Sequence, residues 1–271
     1  MNDESFGRAM HEYYELGEES ERLTRTGAGR LEFERTCEIL RRELPPVPAI
    51  IADIGGGPGR YTLWLASLGY QVLHRDIVPL HIQQLSALIA GADVHSALGD
   101  ARSLDLPDES VDAVLLLGPL YHLTQRADRV QALREAHRIV RTGGPVFGAA
   151  ISRWAARLDG ILRLRLYERT PDAVAIVDAV ERTGVLPPLT ESGFPGYTHR
   201  PGEFREEFAE AGLEVEDLVA VEGAAYLLGD LDERQADERA WEVVLATARA
   251  HERVPELIGL GSHFVATARK P

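Results

Sequence analysis

Residues 50–60, IIADIGGGPGR, decide the fold of this chain. An apolar run leads into Asp53, glycine occupies positions 55, 56, 57 and 59, and an amphipathic pattern resumes at Tyr61. This pattern is typical of a buried strand, a tight turn and the start of a helix. Glycine suits such a turn because its backbone adopts positive φ readily and a ligand can approach it closely. The stretch therefore predicts a ligand-binding turn at the end of a buried strand.

Strand and helix patterns alternate at short spacing from residue 50 onward, which is typical of a doubly wound parallel sheet. The predicted strands are 50–54, 70–75, 93–97, 111–117, 145–150, 213–221 and 262–268, with helices predicted between them. Residues 111–117 are nearly all aliphatic, as expected of a strand that is buried on both faces. The predicted fold class is therefore α/β, with a core formed by residues 45–151 and 201–271.

Two segments fall outside this alternation. Residues 1–44 show a helical pattern that ends before Pro45-Pro46, and we predict an N-terminal helical segment that either packs on the core or forms a lid. Residues 152–200 contain arginine-rich helical patterns and then a stretch rich in proline and glycine. Excursions of this length in compact domains are usually lids or binding loops, so we interpret 152–200 as an inserted cap.

Composition restricts the partners. The formal net charge is −14 and the sequence pI is about 5.1, which disfavours nucleic acid and anionic membranes because phosphate contacts require a cationic surface. Cys37 is the sole cysteine, which excludes an intrachain disulfide and a cysteine-type zinc site. The nine histidines show no pair at metal-ligand helical spacing with an acid, so we expect no metal. The polar N-terminal residues and the absence of long apolar stretches predict a cytoplasmic protein without a membrane span.

The spacing of the glycines separates two kinds of nucleotide site. The dinucleotide fingerprint G-x-G-x-x-G would place its third glycine at position 60, which is Arg60, so a nicotinamide-dependent dehydrogenase is disfavoured. The observed pattern, Asp53-x-Gly55-x-Gly57-x-Gly59, resembles motif I of the class I S-adenosylmethionine-dependent methyltransferases.

Three further markers of that family follow in the expected order. Asp76 ends the second predicted strand, Gly99-Asp100-Ala101 follows the third, and residues 117–122, LGPLYH, follow the fourth. The resemblance covers residues 45–150, with the later strands consistent. It implies a Rossmann-like, doubly wound, mostly parallel seven-stranded sheet whose last strand is antiparallel, and it implies S-adenosyl-L-methionine as cofactor.

The resemblance also implies a role for each marker. Gly55, Gly57 and Gly59 leave room for the amino acid end of the cofactor, and Asp53 lies near its ammonium group. Asp76 accepts hydrogen bonds from both ribose hydroxyls, Asp100 and the Ala101 amide bind the adenine edge, and Leu117 lies beside the methyl group. Each acid also has a structural alternative, since Asp53, Asp76 and Asp100 can serve only as turn or capping residues.

Catalytic and substrate residues are less determined by the sequence. Tyr121 and His122 follow the fourth strand, where open α/β sheets bind their ligands, and His122 can accept a proton or can pack under the cap. Tyr197 and His199 can line the pocket from the cap or can be structural. Tyr13 and Tyr14 can close over a ligand or pack on the core. His263 is expected to be a core or strand-end histidine.

These observations predict methyl transfer from S-adenosylmethionine to a small molecule, at oxygen, nitrogen or carbon. The enclosed site and the acidic surface favour a neutral or cationic acceptor. Two alternatives are a cofactor-binding protein without catalysis and, less favoured, a dehydrogenase. A hydrolase finds no nucleophile, because there is no G-x-S-x-G elbow and the lone cysteine falls in a predicted helix.

Overall fold

The structure, a computed structural model, describes residues 13–14, 19–188 and 194–271. Its strands are β1 (Ile50–Ile54), β2 (Gln71–Asp76), β3 (Val94–Leu98), β4 (Ala113–Leu116), β5 (Pro145–Ser152), β6 (Val185–Leu186), β7 (Gly196–His199), β8 (Glu214–Ala220) and β9 (His263–Arg269). Strands β1 to β5 are parallel in the order β3-β2-β1-β4-β5, and β9 joins β5 antiparallel and pairs with β8. The prediction of a mostly parallel sheet whose last strand is antiparallel is confirmed.

Helices cover both faces of this sheet. They are α1 (Glu19–Arg25), α2 (Gly27–Arg41), α3 (Arg60–Ser67), α4 (Pro79–Ser86), α5 (Arg126–Ile139), α6 (Ala173–Thr183), α7 (Pro201–Glu210), α8 (Leu231–Arg234) and α9 (Glu238–His251). Shorter helical turns lie at Pro119–Tyr121, Leu166–Glu168 and Gly223–Leu227, and a π-helix spans Ala156–Arg163. Within the described residues, no helix is long and apolar enough to cross a membrane.

The core lies on both faces of the central strands. On one face Leu133 of α5 and Phe208 of α7 pack against the sheet, and on the other Leu40 of α2 and Leu65 of α3 do so. Every residue of β4 is fully buried. This strand is therefore covered on both faces, as its aliphatic sequence predicts. Because β1 to β5 are parallel, their carboxyl ends lie at the same edge of the sheet.

The inserted segment 152–200 is not wholly helical. It contains α6 and the π-helix, but it also contains the hairpin of β6 and β7. Strand β7 pairs in parallel with Ile151 and Ser152, the last two residues of β5. It lies on the same side of β5 as β4, past the point where β4 ends. The segment thus extends the main sheet beside the carboxyl ends of the parallel strands.

Candidate active site

A cavity of about 330 Å³ lies at the carboxyl ends of the parallel strands, where α/β sheets bind their ligands. It runs from the ends of β2 and β3, past the glycine turn after β1 and the loop after β4, to the first residues of β9. Residues of the sequence-predicted site that line it are Tyr14, Asp53, Gly55, Gly57, Asp76, Asp100, Ala101, Leu117, Tyr121 and His122. Tyr13, Gly59, Tyr197 and His199 are outside this lining.

The glycine turn is held tightly on two sides and open on a third. Gly55, Gly57 and Gly59 have φ values of 65°, 59° and 89°. A Cβ atom at Gly55 would lie 2.4 Å from the Pro119 ring, and one at Gly59 would lie 2.4 Å from Leu85, whereas one at Gly57 would meet nothing within 4 Å. Gly55 and Gly59 therefore allow close packing, while Gly57 faces open space in the cavity.

Gly57→Ala is expected to weaken ligand binding at this turn by about tenfold or more, because the added methyl group projects into the cavity. Gly91→Ala is the matched control, since Gly91 also has positive φ, 82°, and no neighbour within 4 Å. Both variants carry similar backbone strain, roughly 1–2 kcal/mol. Calorimetric titration with S-adenosylhomocysteine should separate them, and equal affinities would show that Gly57 does not face the ligand.

Asp76 forms the centre of the site. Its Oδ2 accepts a hydrogen bond from the Gly57 amide at 2.8 Å, and its Oδ1 accepts one from the Val78 amide at 2.8 Å and lies 3.1 Å from His81 Nδ1. Burial raises the pKa of Asp76, but the hydrogen bonds from His81 and the two amides outweigh burial and lower the pKa below its usual value. Asp76 is therefore an ionised carboxylate, and its oxygens retain lone pairs for a ligand.

The Asp53 carboxyl group is buried beneath the turn, and only one of its two oxygens has a hydrogen-bond partner among the described residues. Its Oδ2 accepts a hydrogen bond from Thr62 Oγ1 at 2.6 Å, whereas Oδ1 has no partner among the described residues. Burial raises the pKa of this carboxyl group. An unsatisfied buried acceptor is costly, so Asp53 Oδ1 is a site for a donor supplied by a ligand or by water.

Asp100 forms an ion pair with Arg102. Arg102 donates to it through Nη2 at 2.7 Å and through its backbone amide at 2.9 Å, and Nη1 of the same guanidinium reaches Asp128 at 3.2 Å. Arg102 lowers the pKa of Asp100, so this carboxylate is ionised at the adenine end that the resemblance implies. Ala101 follows it in the lining.

Aromatic rings surround the end of the loop after β4. Tyr14 Oη lies 2.6 Å from His122 Nε2, and the rings of Tyr121 and Phe194 lie 4.9 and 5.2 Å from the His122 ring. The Tyr13 ring packs on Tyr14 and Phe194 rather than lining the cavity. Burial lowers the pKa of His122 to about 4, so its imidazole is neutral at physiological pH.

Tyr197 and His199 do not line the cavity, and their positions agree with the structural one of the two alternatives that the sequence left open. His199 is fully buried, and its Nε2 lies 3.3 Å from Glu207. The Arg129 guanidinium stacks 3.7 Å from the centre of the Tyr197 ring and donates to both oxygens of Glu207. These residues form a buried ion-pair network that joins β7 to α5 and α7.

Comparisons with known proteins agree with this geometry. A family model described as a methyltransferase domain matches residues 52–148. An uncharacterized methyltransferase of Mycobacterium bovis is 33% identical over 101 residues, 37% of this chain and 39% of that protein. A malonyl-acyl-carrier-protein O-methyltransferase of Methylococcus capsulatus is 32% identical over 161 residues, 56% of this chain and 54% of that protein. The chain therefore spans about half or less of the length of these curated relatives.

A solved structure has a similar fold. A S-adenosylmethionine-dependent methyltransferase of Methanosarcina mazei has a TM-score of 0.59 at 20% identity, covering 86% of this chain and 96% of that one. Residues 52–148 thus match a methyltransferase domain, and the chain shares its fold with an S-adenosylmethionine-dependent methyltransferase. Both findings support the resemblance recognised from the glycine pattern.

The residues present fit the cofactor of class I methyltransferases. The cofactor carries a sulfonium, an ammonium and a carboxylate, and it has no phosphate. The unsatisfied Oδ1 of Asp53 suits the ammonium group, and Gly57, where a Cβ would meet nothing, leaves space for the chain that bears it. An acid-rich cavity suits a cationic sulfonium.

Four charged residues in or beside the cavity form a cluster that the sequence-based reasoning did not assign to the site: Arg22, Glu32, Glu222 and His263. Arg22 and Glu32 lie on α1 and α2, Glu222 follows β8, and His263 begins β9. The sequence carries a signal for one of them, His263. An antiparallel last strand must begin at the edge where the parallel strands end, so its first residue, His263, was a candidate for the site.

Proposed function

We propose that this protein transfers a methyl group from S-adenosylmethionine to a small molecule. The observation that carries the proposal is the position of the ionised Asp76 carboxylate. It is hydrogen-bonded to the glycine turn, and it faces the same cavity as Tyr121 and His122. Vicinal ribose hydroxyls donate well to such a carboxylate, because hydrogen bonds to a charged acceptor are stronger than neutral ones.

Under this proposal each part of the cofactor has a defined neighbour. The adenine edge lies at Asp100 and the Ala101 amide, and the ribose lies on Asp76. The ammonium group lies near Asp53 Oδ1, and the sulfonium methyl lies near Leu117. This arrangement follows the strand order of the sheet, since β3, β2, β1 and β4 are consecutive neighbours.

In methyl transfer the main task of the protein is to position the two reactants. Methyl transfer is a displacement at carbon, so the nucleophile must be held close to the methyl group and in line with the bond that breaks. His122, neutral because burial lowers its pKa to about 4, is able to accept a hydrogen bond or a proton from the acceptor. Tyr14, through its contact with His122, would close this end of the cavity.

The cavity favours catalysis over simple cofactor binding. It continues past His122 to an apolar wall formed by Ala149, Val221 and Val265, which leaves room for an acceptor beside the methyl group. A cofactor-binding protein without catalysis would not need this space. A dehydrogenase is disfavoured by Arg60, which occupies the position of the third glycine in the dinucleotide fingerprint.

Calorimetry with two ligands tests the proposed cofactor. We expect S-adenosylmethionine and S-adenosylhomocysteine to bind with dissociation constants in the micromolar range, and NAD to show no measurable heat. Binding of NAD in place of S-adenosylhomocysteine would overturn the proposal.

The depressed pKa of His122 has a consequence for stability. Because the folded-state pKa, about 4, lies below the unfolded value of about 6.5, burial of the neutral ring gives stability above pH 6.5 that is lost as the pH falls toward 4. We expect the unfolding free energy of the wild type to fall more steeply over this range than that of His122→Gln. Urea unfolding at several pH values measures the difference, and parallel curves would show that His122 titrates normally.

A further inference from the structure

A cluster of four charged residues lies at the end of the cavity opposite the adenine markers. It comprises Arg22, Glu32, Glu222 and His263, and three of these, Arg22, Glu32 and His263, line the cavity itself. Neither the family markers nor the proposed cofactor contacts assign them a role. The inference drawn from them rests on the proposed function, because it concerns the acceptor of the same reaction.

The two carboxylates of the cluster already accept hydrogen bonds from within the cluster. Both oxygens of Glu32 accept hydrogen bonds from the Arg22 guanidinium, at 2.6 and 2.9 Å. Glu222 is 1% exposed, and it accepts from His263 Nδ1 at 2.6 Å and from the His263 amide at 2.9 Å. The cluster therefore balances two negative charges with a guanidinium and an imidazolium, and its acids offer little to an incoming cation.

His263 differs from its neighbours because it keeps one donor unused. Its Nδ1 faces Glu222 and lies 3.9 Å from Glu32, whereas Nε2 has no hydrogen bond to any described residue. The side chain is 19% exposed and lines the cavity. Burial and Arg22 lower the pKa of His263, but Glu32 and Glu222 together outweigh them and raise it to about 9. At neutral pH the ring is thus a cation with an N–H available to the cavity.

The position of His263 in the sheet separates it from the proposed cofactor contacts. Asp76 ends β2, and the order β2-β1-β4-β5-β9 places four strand spacings, each about 4.8 Å, between β2 and β9. The proposed ribose site on β2 and His263 on β9 thus lie toward opposite sides of the cavity. A cofactor that binds Asp76 through its ribose occupies the side nearer β2, and the side nearer β9 is left for the acceptor.

We propose that His263, oriented by Glu222, binds a carboxylate of the methyl acceptor. The apolar body of the acceptor then lies against Ala149, Val221 and Val265, which line the same end of the cavity. The substrate class is a small apolar carboxylic acid. This class differs from the neutral or cationic acceptor that the acidic composition favours, because the acids near this subsite are neutralised internally.

Benzoate is the probe for this subsite, titrated into protein saturated with S-adenosylhomocysteine and followed by NMR line broadening. We expect benzoate to bind the wild type at neutral pH, with phenol and benzylamine binding at least tenfold more weakly. His263→Gln keeps a polar side chain of similar size but has no charge, and it should weaken benzoate at least tenfold while changing affinity for S-adenosylhomocysteine less than twofold. His95→Gln is the control, since His95 is 64% exposed on β3.

A second variant tests the role of Glu222 without removing the imidazole. Glu222→Gln removes one of the two carboxylates that favour the imidazolium, while Glu32 and Arg22 remain in place. Benzoate binding to the wild type should persist to about pH 9, and in this variant it should be lost at a pH at least one unit lower. Direct NMR titration of the His263 ring in both proteins gives the same comparison independently of any ligand.

Several results would overturn the inference. These are no benzoate binding by the wild type, tighter binding of benzylamine, or equal benzoate affinity in His263→Gln. A large loss of S-adenosylhomocysteine affinity in His263→Gln would instead place this residue in the cofactor site. Benzoate binding that requires an added divalent cation would show that Glu32, Glu222 and His263 hold a metal. Failure of the wild type to bind S-adenosylhomocysteine is a separate result, and it would remove the proposed function.

Discussion

Asp76→Ala is expected to weaken binding of S-adenosylhomocysteine at least 100-fold. The variant loses two hydrogen bonds from ribose hydroxyls to a charged acceptor, each worth about 1.5–3 kcal/mol, and tenfold in affinity corresponds to about 1.4 kcal/mol. It also frees the Gly57 and Val78 amides, which the carboxylate holds at 2.8 Å, so the turn itself becomes less ordered. Isothermal titration calorimetry measures the loss.

Asp93→Ala is the control for this result. Asp93 lies just before β3 on the same half of the sheet, but its side chain is 63% exposed and it is absent from the cavity lining. We expect unchanged affinity in this variant and unfolding temperatures for both variants that confirm a folded protein. An Asp76→Ala protein that is folded and binds S-adenosylhomocysteine within threefold of the wild type would contradict the assignment of the ribose site.

Glu207→Ala is expected to lower the free energy of unfolding by about 3–5 kcal/mol, the usual cost of leaving one member of a buried ion pair without its partner. Glu207 is 1% exposed and accepts from Arg129 at 2.7 and 3.0 Å. The buried His199 ring also loses its partner at 3.3 Å. Because these contacts join β7 to α5 and α7, the loss should be seen as a lower midpoint in urea unfolding.

Glu210→Ala is the matched control on the same helix. Glu210 is 47% exposed and forms surface ion pairs with Arg126 and Arg134, which are worth at most about 1 kcal/mol. The two variants remove the same side chain three residues apart, so the difference between them reports burial. Equal destabilisation would mean that the Arg129–Glu207 pair is no more important than a surface contact.

Much of the fold can be predicted from the sequence because its signals are local. The glycine turn and the aliphatic strand β4 depend on neighbouring residues and on backbone sterics. Predicted and observed strands agree within two residues at most ends; β5, for instance, was predicted over 145–150 and spans Pro145–Ser152. The pattern between the last two strands predicts a helix near residues 234–250, and in the structure that helix begins later, at Glu238, because Asp237 caps α9 and separates it from α8.

The inserted segment was harder to predict because its structure depends on distant partners. Strand β7 is only four residues long and lies in a stretch rich in proline and glycine, where no alternation is visible. It forms because Thr198 and His199 pair with the end of β5. The same stretch includes residues 189–193, which are outside the described residues.

The candidate site also has one part that local sequence predicts and one part that it does not. Asp53 and Asp76 lie at the ends of β1 and β2, and Asp100 follows β3, so their position in the sequence was enough to suggest a shared edge of the sheet. Their structural alternatives also have support, since Asp76 accepts from the Val78 amide and Asp100 from the Arg102 amide. The cluster around His263 has no local signature, because two of its members lie on α1 and α2 near the start of the sequence and the other two lie after β8 and on β9 near its end. Only the folded chain brings Glu32 and His263 together.

A crystal structure with bound S-adenosylhomocysteine tests the central claim most directly. We predict that both ribose hydroxyls lie within hydrogen-bond distance of the Asp76 carboxylate, that the adenine lies beside Asp100 and Ala101, and that the sulfur faces Tyr121 and His122. Open space should remain between the sulfur and His263. A ligand bound elsewhere, or an amino acid end that fills the space up to His263, would contradict this account.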